Sequence, residues 1–301
     1  MEVVITDMDY EVDYYEERTR KILVLGSGGQ VGAYLTEYLR CADVEVMEFD
    51  ITNGPDQDMT VIPNGELEAK IYMADFVYFL AFDVGGSHYL KKYQHTFNFI
   101  DNNTRLMANA FGLIEKYKKP FVFASSQMSN MSYSPYGVLK RVGELYTKSL
   151  GGLIVKFWNV YGIEKDMDKA HVITDFIRKG FETGVIDMMT DGTEAREFLY
   201  AEDCCEALET VMDEYDNLSC DDELHITTGV YTTVLEIAEE IKSLFFSIGK
   251  KITVIPDEKK DSVQRDARNV PDPYIKEFWQ PTTSVKEGLK KVFEEMKKDY
   301  E

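Results

Sequence analysis

Tyr136 and Lys140 stand one helical turn apart in FVFASSQMSNMSYSPYGVLK, residues 121–140. At i and i+4 on a helix two side chains share a face. A free phenol has a pKa of about 10, so roughly one in a thousand is ionised at neutral pH. An ammonium within about 4–6 Å favours the phenolate and lowers that value. Tyr136 could then take and return a proton, with Ser126, ten residues upstream, hydrogen-bonded to the same reacting oxygen. The alternative is ordinary helix surface, since Tyr-x-x-x-Lys also arises by chance. The strand-like FVFA running into Ser125 and Ser126 favours chemistry.

A stretch near the start of the chain strengthens that reading. KILVL, residues 21–25, is a buried strand; GSGGQVG, residues 26–32, follows, then the helical pattern AYLTEYLRC. Gly26, Gly29 and Gly32 permit a tight turn, close backbone approach to a pyrophosphate and close helix–strand packing. A helix N-terminus presents free N–H groups and a positive dipole end to phosphates. A second strand, Val44–Phe49, ends at Asp50, 24 residues after Gly26. An acid there accepts hydrogen bonds from the adenosine ribose hydroxyls and repels a 2′-phosphate. The expected cofactor is therefore NAD rather than NADP.

These groups need a framework to bring them together. DFVYFLA, residues 75–81, is a further buried strand, and the loop FDVGGSHY after it belongs at the carboxyl edge of a sheet. Residues 89–117 are helical, with Asn103 either tying down a neighbouring loop or facing the active site. A helix runs from Pro135 to about Lys148, and a strand covers Leu153–Phe157. The alternation predicts an α/β fold with a doubly wound parallel sheet, a Rossmann domain over 21–165. Past Gly162 the strands thin out. Helices are expected near 172–183, 202–215, 233–247 and 284–298, with an apolar piece at 185–189 and a strand at 251–255. Residues 166–301 thus form a smaller mixed α/β lobe. Residues 1–20 form an acidic extension in which Val3–Thr6 could add an edge strand. Arg196, Arg265 and Arg268 suit bidentate phosphate binding or an ordinary solvated surface.

Composition narrows the partners. The chain has 33 Lys and Arg against 54 Asp and Glu, a net charge of −21. Such a field repels phosphodiester backbones and anionic lipid, so neither nucleic acid nor membrane is expected as a partner. Cys41, Cys204, Cys205 and Cys220 have no metal-binding spacing, and two adjacent cysteines suit a disulfide framework badly. No metal and a reduced, cytoplasmic protein are expected. No apolar run approaches the roughly 18 residues of a membrane span.

Taken together, GSGGQVG with Asp50, DFVYFLA, FVFASSQ, YGVLK, KFWNVYG and GTEAREFLYAEDC followed by TTVLEIAEEI resemble the extended short-chain dehydrogenase/reductase family of NAD-dependent nucleotide-sugar epimerases, dehydratases and reductases. The resemblance covers about residues 21–298. It implies Ser126 as catalytic hydroxyl, Tyr136 as acid/base, and Lys140 on the nicotinamide ribose, tuning Tyr136. Gly26, Gly29, Gln30, Val31 and Gly32 would form the pyrophosphate turn, Asp50 and Ile51 would meet the ribose, and Asp58 and Met59 the adenine. Leu80, Ala81, Asn103, Ser125 and Phe157 would lie along the nicotinamide half. Gln127, Asn159 and Arg196 would hold the substrate, a nucleotide-diphosphate sugar, with Arg265 or Arg268 assisting. His171 falls near a substrate-touching position.

The chain also departs from the family. Tyr136 follows Ser126 by only ten positions, where members commonly have about two dozen. Ala81-Phe82 replaces a common Ala-Ala, and Lys156 a usual arginine. Gln127 and Met128 stand where the dehydratase branch has an acid pair, which argues against 4,6-dehydration. The implied reaction is redox chemistry at C4 of the sugar, with 4-epimerisation through a 4-keto sugar favoured by Asp50. A 4-dehydrogenase, a 4-ketoreductase and a non-catalytic NAD-binding scaffold are the alternatives. The family's dimer, a four-helix bundle, could use Phe97, Leu106, Leu139 and Leu145.

Overall fold

The computed structural model describes residues 18–264 and 270–301. The elements in order are β1 (Arg20–Leu25), α1 (Gln30–Leu39), β2 (Val44–Phe49), α2 (Gly65–Met73), β3 (Phe76–Phe79), α3 (Ser87–Tyr93), α4 (Phe97–Tyr117), β4 (Phe121–Ser126), α5 (Pro135–Leu150), β5 (Leu153–Phe157) and β6 (Asn159–Tyr161). Then come α6 (Val172–Glu182), β7 (Val185–Asp187), β8 (Ala195–Tyr200), α7 (Ala201–Asp213), β9 (Glu223–Ile226), β10 (Tyr231–Thr233), α8 (Val234–Ser247), β11 (Thr253–Ile255) and α9 (Val285–Lys297).

The main sheet is parallel with order β2-β1-β3-β4-β5-β9. This is the doubly wound Rossmann arrangement. Its strands are buried on both faces because helices cover both. Ile22 and Val24 point into a core shared with Leu35 and Leu39 of α1 and Leu208 and Val211 of α7. Leu23 and Leu25 point into another, with Met107, Phe111 and Ile114 of α4. The rings of Phe79, Phe111 and Phe123 pack together with centroids 4.9–5.5 Å apart, a geometry that adds to plain area burial.

Strand order reverses between β1 and β3, where β2 lies to one side and β4 to the other. Ligands bind outside the carboxyl ends of the strands at such a switch point. The loops after β1, β3, β4 and β5 converge there.

Beyond residue 165 the chain does not stay in one lobe. α7 returns to cover one face of the large sheet, and β9 adds its sixth strand beside β5. β9 carries no clear strand signal in the sequence, because ELHI is short and mixed. The rest forms a smaller lobe. It has the sheet β10-β8-β6, the pair β11-β7 and a separate core built from α6, α8 and α9. The expected helix over 89–117 is interrupted: α3 ends at Tyr93, and Thr96 caps α4 by accepting from the Phe99 N–H. No helix among the described residues is long and apolar enough to cross a membrane. Val3–Thr6 lies outside the described residues.

Candidate active site

The glycine turn follows β1. Gly26 has φ +90°, and a Cβ there would fall 2.6 Å from the Ala81 nitrogen. That left-handed conformation and that close approach to the β3 loop both demand glycine. A Cβ on Gly32 would lie 2.0 Å from the Gly26 oxygen, so α1 packs directly on the turn. Gly29 is the N-cap of α1 and supplies no side-chain cap. The first N–H groups of the helix therefore remain for an anion. Gln30 turns sideways instead. Its amide, oriented to match its partners, donates to the Val160 carbonyl and accepts from the Gly162 N–H.

Gly28 was not singled out from the sequence. A Cβ on it would lie 2.3 Å from Thr52 Oγ1 and 2.7 Å from Asp50 Oδ1. The glycine thus leaves room for the acid that follows β2. Asp50 Oδ1 accepts from both the N–H and the hydroxyl of Thr52, at 2.9 and 2.8 Å, while Oδ2 has no hydrogen bond among the described residues. Ile51, next in the chain, is 61% exposed. Ser27 Oγ is buried in the turn without a hydrogen-bond partner. An orphaned hydroxyl, an uncapped helix start and a side-chain-free approach fit a dinucleotide pyrophosphate, with Asp50 Oδ2 left for the ribose.

At the adenine end, Asp58 Oδ1 accepts from the N–H and hydroxyl of Thr60, at 2.8 and 2.7 Å. Met59 is a core side chain under α2 and α4, and Asn109 braces its carbonyl at 3.0 Å. Asn103 makes three hydrogen bonds to the backbone of Phe99 and Asp83, so it fixes the loop after β3, the first of the two readings its position allows.

The catalytic stretch begins where β4 ends. Successive strand residues face opposite ways, which separates the two serines. Ser125 Oγ donates to Glu144 of α5 at 2.5 Å, so its hydroxyl is turned inward. Glu144 is also paired with Arg141 and Lys156. Ser126 instead faces Tyr136. It caps the short turn Gln127–Asn130 by accepting from the Met128 N–H at 3.2 Å. Pro135 opens α5, and Ser134 Oγ accepts from the Gly137 N–H, so Tyr136 and Lys140 sit in the first turns of one regular helix.

Tyr136 and Lys140 are both buried. Lys140 Nζ donates to the Ala124 carbonyl at 2.6 Å and lies 3.9 Å from the Phe82 ring centroid and 5.9 Å from that of Tyr136. Phe82 packs edge-on against Tyr136 at 5.7 Å. Burial lowers the Lys140 ammonium to about 7, opposed by the Glu144 carboxylate. Burial pushes the Tyr136 phenol up to about 12, opposed by a hydrogen bond with Ser126. This reverses the expectation that Lys140 holds the phenol low. The same apolar wall that aligns the two groups strips water from both, and each favours its neutral form. Ala81 is half-buried next to Phe82 and Gly26, and Leu80 and Phe157 are half-buried against the core on the α1 and α7 face of the sheet.

The substrate side draws on both lobes. Asn159 Nδ2 reaches the Glu197 carbonyl at 3.4 Å, and its Oδ1 accepts from Gln264 at 3.4 Å. Gln127 Nε2 donates to Gln264 Oε1 at 3.0 Å. Arg196 is not a solvated surface residue: it is buried and pairs with Asp261 at 2.5 Å. His171 Nδ1 lies 2.6 Å from Glu164. Arg265 and Arg268 lie outside the described residues. Among the described residues no cluster of three or more His, Cys, Asp or Glu is arranged to hold a metal. Gln264, Asp261 and Phe82 were invisible as site residues in the sequence; only the Phe82 departure from Ala-Ala was a signal.

A profile of the NAD dependent epimerase/dehydratase family matches residues 22–226. UDP-glucuronic acid decarboxylase 1 of Danio rerio is 24% identical over all of this chain and 78% of its own length. An epimerase of Methanothermobacter thermautotrophicus has the same fold, with TM-score 0.80, 18% identity and coverage of 94% and 93% of the two chains. UDP-glucose 4-epimerase of Thermotoga maritima, solved with UDP-glucose, superposes with TM-score 0.75 at 20% identity, covering 93% of this chain and all of that one.

Proposed function

The chain belongs to the NAD dependent epimerase/dehydratase family, and from that membership and this site we propose that it interconverts C4 epimers of a nucleotide-diphosphate sugar through a transient 4-keto sugar. The observation that carries the reading is the meeting of Ser126, Tyr136 and Lys140 at the carboxyl end of β4, beside the glycine turn. Held along the glycine turn with Asp50 at its ribose, NAD would supply the reversible hydride acceptor.

The chain's own groups handle protons and position. Tyr136 takes the proton of the 4-hydroxyl as the ketone forms and returns it to the carbonyl oxygen as the epimeric alcohol forms. Ser126 hydrogen-bonds the same oxygen and holds it at the phenol. Lys140, in its protonated form, favours the phenolate in the proton-accepting step. Gln127, Asn159 and Arg196 hold the rest of the substrate, Arg196 by exchanging its bond to Asp261 for one to a phosphate oxygen. A second reading shares the first step: decarboxylation of a 4-keto uronate, favoured by the Danio rerio relative that spans the whole chain. A panel of UDP-, GDP-, CDP- and dTDP-sugars and uronates, with products identified by NMR and absorbance followed near 340 nm, separates the two. Epimer formation supports the first reading and loss of carbon dioxide the second. No NADH signal and no product with any sugar would leave a cofactor-binding protein without this chemistry.

Asp50→Ala is expected to weaken NAD by roughly 1–3 kcal/mol, the cost of leaving a ligand hydroxyl unpaired. Calorimetric titration with NAD and NADP checks this. An unchanged NAD dissociation constant would place the ribose elsewhere.

A second copy of the chain is proposed to cover α4 and α5. Phe97 and Leu145 are 76% and 58% exposed there, with Val138 and Tyr146 also bare. Leu106 and Leu139, offered from the sequence for the same face, are 6% and 9% exposed and belong to the core. Leu145→Glu should convert a dimer to a monomer in light scattering after size exclusion. A wild-type monomer at micromolar concentration would refute the dimer.

A further inference from the structure

Resting on that reading, we propose that Gln264 is a specificity-determining residue, reading the hydroxyls of the sugar from the smaller lobe. The loop between Ser126 and Tyr136 is short, and what stands over its end comes from elsewhere in the chain. Val263 is buried in the same core cluster as Met128, Met131 and Tyr136. The Tyr133 hydroxyl donates to the Gln264 carbonyl at 2.8 Å. Asp261 ties the segment back on itself, accepting from the N–H groups of Val263 and Gln264 at 2.8 and 3.2 Å. The backbone of Gln264 is thus held on two sides, and its side chain is placed rather than trailing in solvent.

That side chain bridges the two walls of the cleft. It accepts from Gln127, the neighbour of Ser126, and donates to Asn159 at the start of β6. Three amides in a row offer donors and acceptors but no charge. Such a set matches the hydroxyl groups of a sugar ring, each of which can donate and accept. Phosphate has a separate partner close by in Arg196, which shares Asp261 with the same segment. The division is physical: a guanidinium for the anion, amides for the neutral ring. Sugar hydroxyls that replace the Gln127–Gln264 and Gln264–Asn159 bonds keep every amide satisfied. An epimer whose hydroxyl points away leaves one buried amide unpaired and is bound more weakly.

The test uses the full chain loaded with NAD, each protein carrying Tyr136→Phe so that the epimers do not interconvert during the measurement, titrated calorimetrically with UDP and GDP and with C4-epimeric pairs of UDP- and GDP-hexoses. In Gln264→Leu the nucleoside diphosphate should bind within about threefold of wild type. Affinity for the preferred nucleotide sugar should fall about tenfold, and the preference between its C4 epimers should shrink. Equal losses for nucleoside diphosphate and nucleotide sugar, or an unchanged epimer preference, would overturn the assignment. Should Gln264→Leu fail to fold, Gln264→Glu keeps the acceptor for Gln127 and loses the donor to Asn159; an epimer preference equal to wild type in that variant overturns it too. A wild-type protein that binds NAD but none of the nucleotide sugars refutes the nucleotide-sugar reading itself.

Discussion

Tyr136→Phe should lower turnover by about 10²–10⁴-fold, the usual contribution of a placed general acid/base, while NAD binding stays within about threefold of wild type. The separation follows from where the two ends of the side chain lie. The ring packs against Phe82 and the core under α5, and phenylalanine keeps those contacts. Only the hydroxyl is lost, and with it the hydrogen bond to Ser126. Because burial holds the phenol near 12, the free protein carries a protonated tyrosine at neutral pH. It is ready to donate to a ketone. Accepting a proton requires a positive charge close by, from Lys140 in its protonated form. Steady-state rates with the active nucleotide sugar and a fluorescence titration with NAD measure the two halves. Wild-type turnover in Tyr136→Phe would remove the phenol from the mechanism. A parallel collapse of NAD affinity would show that the substitution had damaged the fold.

Lys140→Met should produce a protein that is more stable yet inactive, and the stability difference should depend on pH. Burial depresses the Lys140 ammonium from its ordinary 10.5 to about 7. In the unfolded chain the amine keeps its proton up to about pH 10.5. Between those limits unfolding takes up a proton, so the lysine's unfavourable contribution fades as pH rises from 7 toward 10.5. Below pH 7 the folded protein carries the buried ammonium, and the penalty is full. Methionine has a similar length and no charge. Its gain should be about 3–5 kcal/mol at pH 6, less the Ala124 hydrogen bond, and should vanish near pH 10.5. Turnover should fall at least about a hundredfold, since no cation remains beside Tyr136. Urea unfolding of cofactor-free protein at pH 6 and pH 9.5 checks the sign. A variant less stable at pH 6, or a difference that ignores pH, would mean that Lys140 is charged and well compensated in the folded state.

The two substitutions read the same wall from opposite sides. Phe82, Phe123 and Tyr136 surround the ammonium, and the carboxylate helping to retain its proton is Glu144, one turn along α5. Stability is given up here in order to hold two groups of matched reactivity out of water, as functional sites often do.

Much of this was decided by the order of residues alone. An apolar strand, a glycine turn and a helix can be recognised without the fold because their causes are local: missing Cβ atoms, helical spacing, runs of branched and aromatic side chains. The same holds for the i, i+4 placement of Tyr136 and Lys140 and for an acid at the end of β2. Other features depended on which elements became neighbours. Ser125 and Ser126 look equivalent in the chain, yet the pleat sends one to Glu144 and the other toward Tyr136. Asn103 looks like a cleft residue until the loop after β3 folds over it. Arg196 acquires its partner from 65 residues away, and Gln264 meets Gln127 from 137. Burial set the protonation of Tyr136 and Lys140 against what their spacing suggested, because desolvation depends on every atom packed around a charge, whereas spacing records only the helix they share.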